Sequence, residues 1–439
     1  MPKQVIEKYI KEIFQTDSEY TEWFGYYNYD VLSKDCKKML CNRATFEGRV
    51  ISDQDTIEVG CYNIKSGEWN SIGKTNSFNW QQGAMLQWLP GEGNENKVIY
   101  NIAEDNRFKS VIFDIVTKEE RTIDFPVYCI TPDGNYAISL NYERSYWCRA
   151  YHYQPIVNKA YDVDVAEDDG IFKVNLSTNQ IERILSIQDI IKNDANAAFS
   201  SAKHWLEHIM LNKEGSKIAF LHRYTHGEGY ITRLCVCNID GSNLQVISGW
   251  RDNLWSHLGW KTENSFAIYA VKQNSLMTSY AKQGKIDGNK NKKTFKARLF
   301  AVAKKITPKF IKELLQRSEN GYQIFEQKGE TFVKTDWYKE KQFSIDGHPS
   351  FTKDGKYMIT DSYPDKHGYQ KLMVYNTQTR KCLVLAKLLA PLKGNPASCD
   401  LHPKFCQNQQ YVVVDTAYSQ KHKMIVFELD WANIRRVIG

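Results

Sequence analysis

Long apolar runs are missing from this chain. No stretch approaches the ~18 consecutive apolar residues that a membrane-spanning helix needs. The opening residues, Met1-Pro-Lys-Gln-Val-Ile-Glu-Lys-Tyr-Ile-Lys-Glu-Ile-Phe14, alternate in charge and lack the apolar centre of a secretion signal. Paired cysteine motifs are missing: the ten cysteines among 439 residues are scattered, with no Cys-x-x-Cys pair. Cys235 and Cys237 flank one valine in a strand-like run, where burial is expected rather than metal binding. These absences together imply reduced thiols in a cytoplasmic protein. A Gly-x-Ser-x-Gly nucleophile elbow is also missing, which argues against a serine peptidase.

What is present is a phrase that recurs. It reads His208-Ile-Met-Leu-Asn-Lys-Glu-Gly, His257-Leu-Gly-Trp-Lys-Thr-Glu-Asn, His348-Pro-Ser-Phe-Thr-Lys-Asp-Gly and His402-Pro-Lys-Phe-Cys-Gln-Asn-Gln. Three residues after each histidine stands a large apolar residue: Leu211, Trp260, Phe351 and Phe405. Six residues after it stands a turn-forming acid or amide: Glu214, Glu263, Asp354 and Asn408. Strand-like runs follow at Lys217–His222, Phe266–Val271, Tyr357–Thr360 and Tyr411–Val414. The pattern is strand, turn, strand. Copies lie 49 and 54 residues apart, and the 91-residue gap between His257 and His348 is one unit plus an insertion.

Repeats of roughly 40–50 residues with four strands each are the mark of β-propeller blades. Two earlier units fit without a histidine, one around Val127 and Asp133, one around Met85 and Trp88. A last blade is expected to be shared between strands near 45–72 and a C-terminal strand near 423–429. The expected fold is all-β, one seven-bladed propeller over 1–439. Turn signals at Asn63–Gly67, Thr117–Glu120, Asp133-Gly134, Ser177–Gln180 and Asp240–Asn243 have the density such a fold requires.

Three insertions and an N-terminal helix complete the expected layout. Val5, Ile6, Tyr9, Ile10, Ile13 and Phe14 fall on one helical face, so residues 1–20 are expected to start with an amphipathic helix. Residues 143–168 are rich in aromatics and then acids, and 187–207 read as helical. The third insertion, 276–343, is basic. Between 282 and 317 it carries ten Lys and two Arg against two acids. Part of it reads as disordered, and 307–317 reads as a capped basic helix. A solvated linker is one reading; peripheral membrane or protein contact is the other. Net charge is +7 overall, but concentrated here rather than spread over a face, which argues against nucleic-acid binding.

Rotation about a propeller axis brings equivalent positions together, so the four histidines should form a ring at one end. His348, Asp400 and His402 make a His/Asp/His set suited to Mn²⁺, Zn²⁺ or Fe²⁺. Asp361 and Asp415 each follow their histidine by thirteen residues and are placed to orient the imidazoles. Some propeller repeats use Gly-His only to knit a blade, and Gly347-His348 fits that too. The Trp-Asp dipeptide that partners it in such repeats is missing.

The runs His204-Trp-Leu-Glu-His208, Ser256-His257-Leu-Gly-Trp260, Gly347-His348-Pro-Ser-Phe351 and Cys399-Asp400-Leu-His402-Pro-Lys-Phe405 resemble the oligogalacturonate lyase family, and more closely its uncharacterised bacterial relatives. The resemblance covers about 200–439 outside the basic insertion. It implies a cytoplasmic seven-bladed propeller that cleaves unsaturated uronic-acid disaccharides by β-elimination with Mn²⁺. By the same resemblance His348 and His402 are metal ligands. Asp400 stands where the family has another histidine, and Ala397 where it has a glutamine. His257 matches the histidine proposed as base, and Arg233 the arginine beside the substrate. His208, His204, Asp361 and Asp415 complete the expected substrate-facing set. The implied partner is an acidic oligosaccharide. The competing reading is a non-catalytic carbohydrate-binding or scaffolding propeller in surface-polysaccharide synthesis, since fold does not fix function.

Overall fold

The computed structural model describes residues 4–144, 163–193, 201–226, 229–247, 253–272, 320–391 and 398–439. Its strands form seven antiparallel sheets arranged as propeller blades. Blade I comprises Thr21–Trp23, Lys38–Ala44, Ile57–Asn63 and Trp69–Thr75; blade II Gln87–Trp88, Lys97–Glu104, Arg107–Asp114 and Glu120–Ile123. Blade III comprises Cys129–Ile130, Tyr136–Leu140, Gly170–Asn175 and Ile181–Ser186; blade IV His204–Leu211, Lys217–His226, Gly229–Asn238 and Gln245–Ile247. Blade V comprises Asn253–Thr262, Ser265–Lys272, Gly321–Lys328 and Thr331–Tyr338. Blade VI comprises Ser350–Phe351, Tyr357–Thr360, Tyr369–Asn376 and Lys381–Leu389; blade VII Lys404–Phe405, Tyr411–Thr416 and Lys423–Leu429. First strands of successive blades from III to VII touch one another, so they line the axis.

Blades pack face to face, so a middle strand is covered on both sides. Val412, Val413 and Val414 are all buried, which is why the strands read as apolar runs rather than alternations. The large residue three positions after each histidine stitches blade to blade where it is Trp. The Trp260 indole N–H donates to the Met210 carbonyl of blade IV at 3.0 Å. Trp88, at the matching place in blade II, donates to Val31 beside blade I at 2.9 Å.

Two expectations about the ends of the chain are overturned. Residues 4–15 are strands, not a helix. Gln4–Ile6 pairs with Lys381–Leu389 as a fifth strand of blade VI, and Ile10–Gln15 pairs with Lys423–Leu429 as the outermost strand of blade VII. The β-branched and aromatic residues that suggested a helical face suit an edge strand equally, and the partner strands lie near the other end of the sequence. Blade VII is therefore closed by residues 10–15. Residues 38–75 supply three strands of a complete blade I instead.

The insertions also change. Residues 321–338 are the outer two strands of blade V, so the segment from 276 is an insertion only in its first part. The basic stretch 282–317 lies outside the described residues, as does most of the aromatic-rich insertion. In 187–207 a short helix, Ile187–Asn193, does form, but His204–Leu211 is the first strand of blade IV. The five turn signals all fall between paired strands. No helix among the described residues is long and apolar enough to cross a membrane.

Candidate metal centre

The four repeat histidines converge. Ring centroids of His208 and His257 lie 5.6 Å apart, those of His257 and His348 4.0 Å, and those of His348 and His402 4.3 Å. All four side chains are buried. Local backbone irregularity aims them. In blades IV and V the first strand carries a β-bulge, with register shifts between Glu207 and Met210 and between Trp255 and Leu258. A bulge re-aims a side chain at a strand's end. His348 and His402 stand just before their short first strands. His208 and His402 adopt positive φ, 53° and 45°, a conformation that costs a non-glycine residue energy and is kept where surrounding structure enforces it. Met85 of blade II, at the corresponding position, repeats the positive φ at 55°.

His348, Asp400 and His402 offer one ligand atom each, all within 4.8 Å of one another. The imidazole of His348 is oriented from behind: its Nδ1 lies 2.9 and 3.0 Å from the two Asp361 carboxylate oxygens. The same carboxylate accepts the backbone N–H groups of His348, at 2.7 Å, and of His402, at 3.3 Å. Gly347 permits this, because a Cβ there would sit 2.1 Å from the Asp361 carbonyl oxygen. His348 Nε2 and both ring nitrogens of His402 are buried without a hydrogen-bond partner. The Gly25 backbone influences the His402 ring but makes no hydrogen bond of good geometry with it. Orphaned buried nitrogens are costly, about 1–3 kcal/mol each, and are the state in which an imidazole accepts a metal.

Protonation supports the same use. Burial, together with His348 and His257, holds the His402 imidazole well below its usual 6.5, so it stays neutral. Burial pushes the Asp400 carboxyl up from 3.8 to about 7, against the pull of His348 and with Asp361 and Asp346 adding to the rise. Part of Asp400 remains exposed, which limits that push. A divalent cation reverses it, because a bound positive charge favours the carboxylate.

His257 makes its hydrogen bonds through Nδ1, to Asp346 at 3.2 Å and Ser256 at 3.0 Å. Asp346 is a site residue that the repeat pattern did not single out, although it directly precedes Gly347-His348. A second omission is larger. Tyr26 and Tyr27, both buried, fill the middle of the ring. The Tyr26 ring lies 5.1 Å from His402 and its hydroxyl is bonded to His208 Nδ1. The Tyr27 ring lies 5.0 Å from His348, and its hydroxyl donates to the Leu258 carbonyl at 2.8 Å. The aromatic run Phe24-Gly-Tyr-Tyr-Asn-Tyr29 was the available signal, but it sits in a loop and repeats nowhere.

That loop explains Asp415. Its carboxylate accepts the backbone N–H groups of Phe24 at 3.0 Å and Gly25 at 3.2 Å, so it anchors the tyrosine segment instead of orienting an imidazole. Gly25 has φ +114° and a Cβ there would lie 2.5 Å from the Gln82 backbone, so the turn into the tyrosines requires glycine. His204 and Arg233 lie in a neighbouring cluster on blade IV. His204 stacks on His222, with Nδ1 to Nε2 2.9 Å. Arg233 faces His222 across the sheet and donates to the Ile190 carbonyl at 3.1 Å. Burial and the Arg233 charge hold His222 well below the usual imidazole range. A surface cleft of about 630 Å³ between blades II and III, lined by Leu89, Lys97, Arg121 and Leu176 among others, includes none of these residues.

No protein-family model matches the chain, and no curated protein matches it. Solved structures do. An oligogalacturonate lyase in complex with manganese superposes with a TM-score of 0.59 at 13% identity, over 98% of this chain and 98% of its own. An oligogalacturonate lyase from Vibrio parahaemolyticus superposes with a TM-score of 0.58 at 14% identity, over 95% of this chain and 93% of its own. At that identity the likeness is one of fold: this chain is a seven-bladed β-propeller built along the same lines as those two lyases.

Proposed function

We propose that the chain performs metal-assisted β-elimination on uronic-acid-containing oligosaccharides. The observation that carries this reading is the His348/Asp400/His402 set, its two imidazoles buried with orphaned nitrogens and its carboxylate half-buried, at the axis of a propeller whose fold resembles that of two lyases. One of those lyases holds manganese. His348, Asp400 and His402 would hold the ion here. A divalent cation in that place neutralises charge developing on the substrate carboxylate.

The chain's own groups supply the rest. Elimination removes the proton α to the carboxylate, which is weakly acidic. His257, held at Nδ1 by Asp346 and Ser256, presents its other nitrogen as the base. Asp361 fixes the orientation of His348, whereas Arg233, expected beside the substrate, is bonded to the Ile190 carbonyl in the neighbouring His204/His222 cluster. A second reading, a non-catalytic carbohydrate-binding or scaffolding propeller, is favoured by one feature, the tyrosine pair packed into the ring.

The test is direct. Purified chain with MnCl₂ is incubated with unsaturated digalacturonate and the cleavage products are followed by chromatography. Turnover that falls ~10²–10⁴-fold in His257→Ala, with substrate binding retained, supports elimination. Binding without turnover in the wild type supports the scaffold. Wild-type turnover in His257→Ala removes that histidine from the mechanism.

A further inference from the structure

Elimination needs two proton movements, and the base accounts for one. As the C4–O bond breaks, the departing sugar oxygen takes up negative charge, and a sugar alkoxide leaves poorly unless it is protonated. The geometry points to Tyr26 as the group that protonates it, an assignment that rests on the elimination reading above.

Tyr26 is central to the ring. Its aromatic ring lies 5.1 Å from that of His402 and 6.4 Å from that of His348. The Tyr27 hydroxyl donates to a backbone carbonyl, and the Tyr26 hydroxyl, which also neighbours Tyr27, bonds to an imidazole, His208 Nδ1. The connection continues inward. His208 Nε2 lies 3.4 Å from Glu207 Oε2. Glu207 is itself held by Arg223 at 3.0 Å and by the Trp205 indole N–H at 2.5 Å. A phenol, an imidazole and a carboxylate are thus linked in sequence from the metal-ligand set to blade IV. The bulge and positive φ at His208 turn its ring toward Tyr26. Asp415 and Gly25 fix the loop that carries the phenol.

The step balances. The C5–H bond breaks, and its proton goes to His257. The C–H electron pair forms the C4=C5 double bond, and the C4–O pair leaves on the sugar oxygen. That oxygen takes the phenolic proton of Tyr26. The phenolate is reprotonated from solvent through His208, and His257 returns its proton to solvent. Tyr26 is the catalytic residue in this scheme; His208 and Glu207 are positioning residues that act through it.

The test compares leaving groups. Wild type and Tyr26→Phe, both loaded with Mn²⁺, are assayed on digalacturonate and on a galacturonoside carrying a 4-nitrophenyl ether at C4, whose 4-nitrophenoxide needs no proton to depart. The expected result is a ~10²–10⁴-fold loss of kcat on digalacturonate with KM nearly unchanged, and activity on the aryl ether held within a few-fold. Equal loss on both substrates, or no loss on either, overturns the assignment. A wild type that turns over neither substrate overturns the elimination reading and this assignment with it. Melting temperature controls for folding. If Tyr26→Phe does not fold, His208→Gln keeps the phenol and breaks the relay; a selective loss on digalacturonate supports the assignment, and an unselective one overturns it.

Discussion

Removing and restoring the metal should be visible as a change in melting temperature, without any substrate. Three buried ring nitrogens in the centre, His348 Nε2 and both of His402, have no hydrogen-bond partner. A cation that binds only the folded chain stabilises it by RT ln(1 + [L]/Kd), about 2.7 kcal/mol at 100 times Kd. Unfolding entropy near 2.1 cal/mol/K per residue gives roughly 0.9 kcal/mol/K for a chain of this size, so the expected rise is about 3 °C. The protein is stripped with EDTA, dialysed and melted in a MnCl₂ series by differential scanning fluorimetry. His402→Ala removes two orphaned nitrogens but leaves a cavity. The two effects oppose each other, so its metal-free melting point should stay within a few degrees of wild type, while the manganese-dependent rise disappears. His348→Ala should abolish the rise as well. The reasoning is refuted if excess Mn²⁺, Zn²⁺ and Fe²⁺ all leave the wild type unshifted, or if His348→Ala keeps the full shift.

Two further outcomes are expected. Asp361→Asn weakens the acceptor for His348 Nδ1 and two backbone N–H groups, so metal affinity measured by calorimetry should fall about 10–100-fold while the fold persists. Asp169, buried at the start of the blade III strand Gly170–Asn175, is pushed from 3.8 up to about 7, chiefly by burial and partly offset by the Gly170 N–H and the Arg144 charge. An acid with a raised folded value favours folding below about pH 4 and loses that contribution as pH rises through 7. Urea midpoints of the wild type should therefore fall, relative to Asp169→Asn, by the equivalent of a few kcal/mol between pH 4 and 8. Parallel curves for the two proteins would remove Asp169 as the cause.

The blades and the convergence of histidines were legible because both follow from repetition. A residue at one place in a repeat returns to the same place around the axis, so His208, His257, His348 and His402 announced a ring before any coordinates. Asp361 was found by the same logic, at a fixed distance after His348. The identical spacing misled at Asp415, whose carboxylate faces the loop of Phe24 and Gly25 instead. Nothing within blade VII reveals that loop. Residues 10–15 misled similarly: an edge strand whose partner lies about 400 residues away leaves only an apolar pattern that a helix satisfies equally. Tyr26 and Tyr27 belong to no repeat, so periodicity is blind to them.

The pairing of Ile10–Gln15 with Lys423–Leu429 also sets an order of events during synthesis. At roughly 5–20 residues per second, the early strand waits tens of seconds for its partner to leave the ribosome. Throughout that interval blade VII does not exist and the early strand has an open edge, an invitation to wrong pairing with other nascent chains. Its lysine and glutamate, Lys11 and Glu12, stand where charge discourages such encounters. The last hydrogen bonds to form are thus the ones that turn an open arc of blades into a circle.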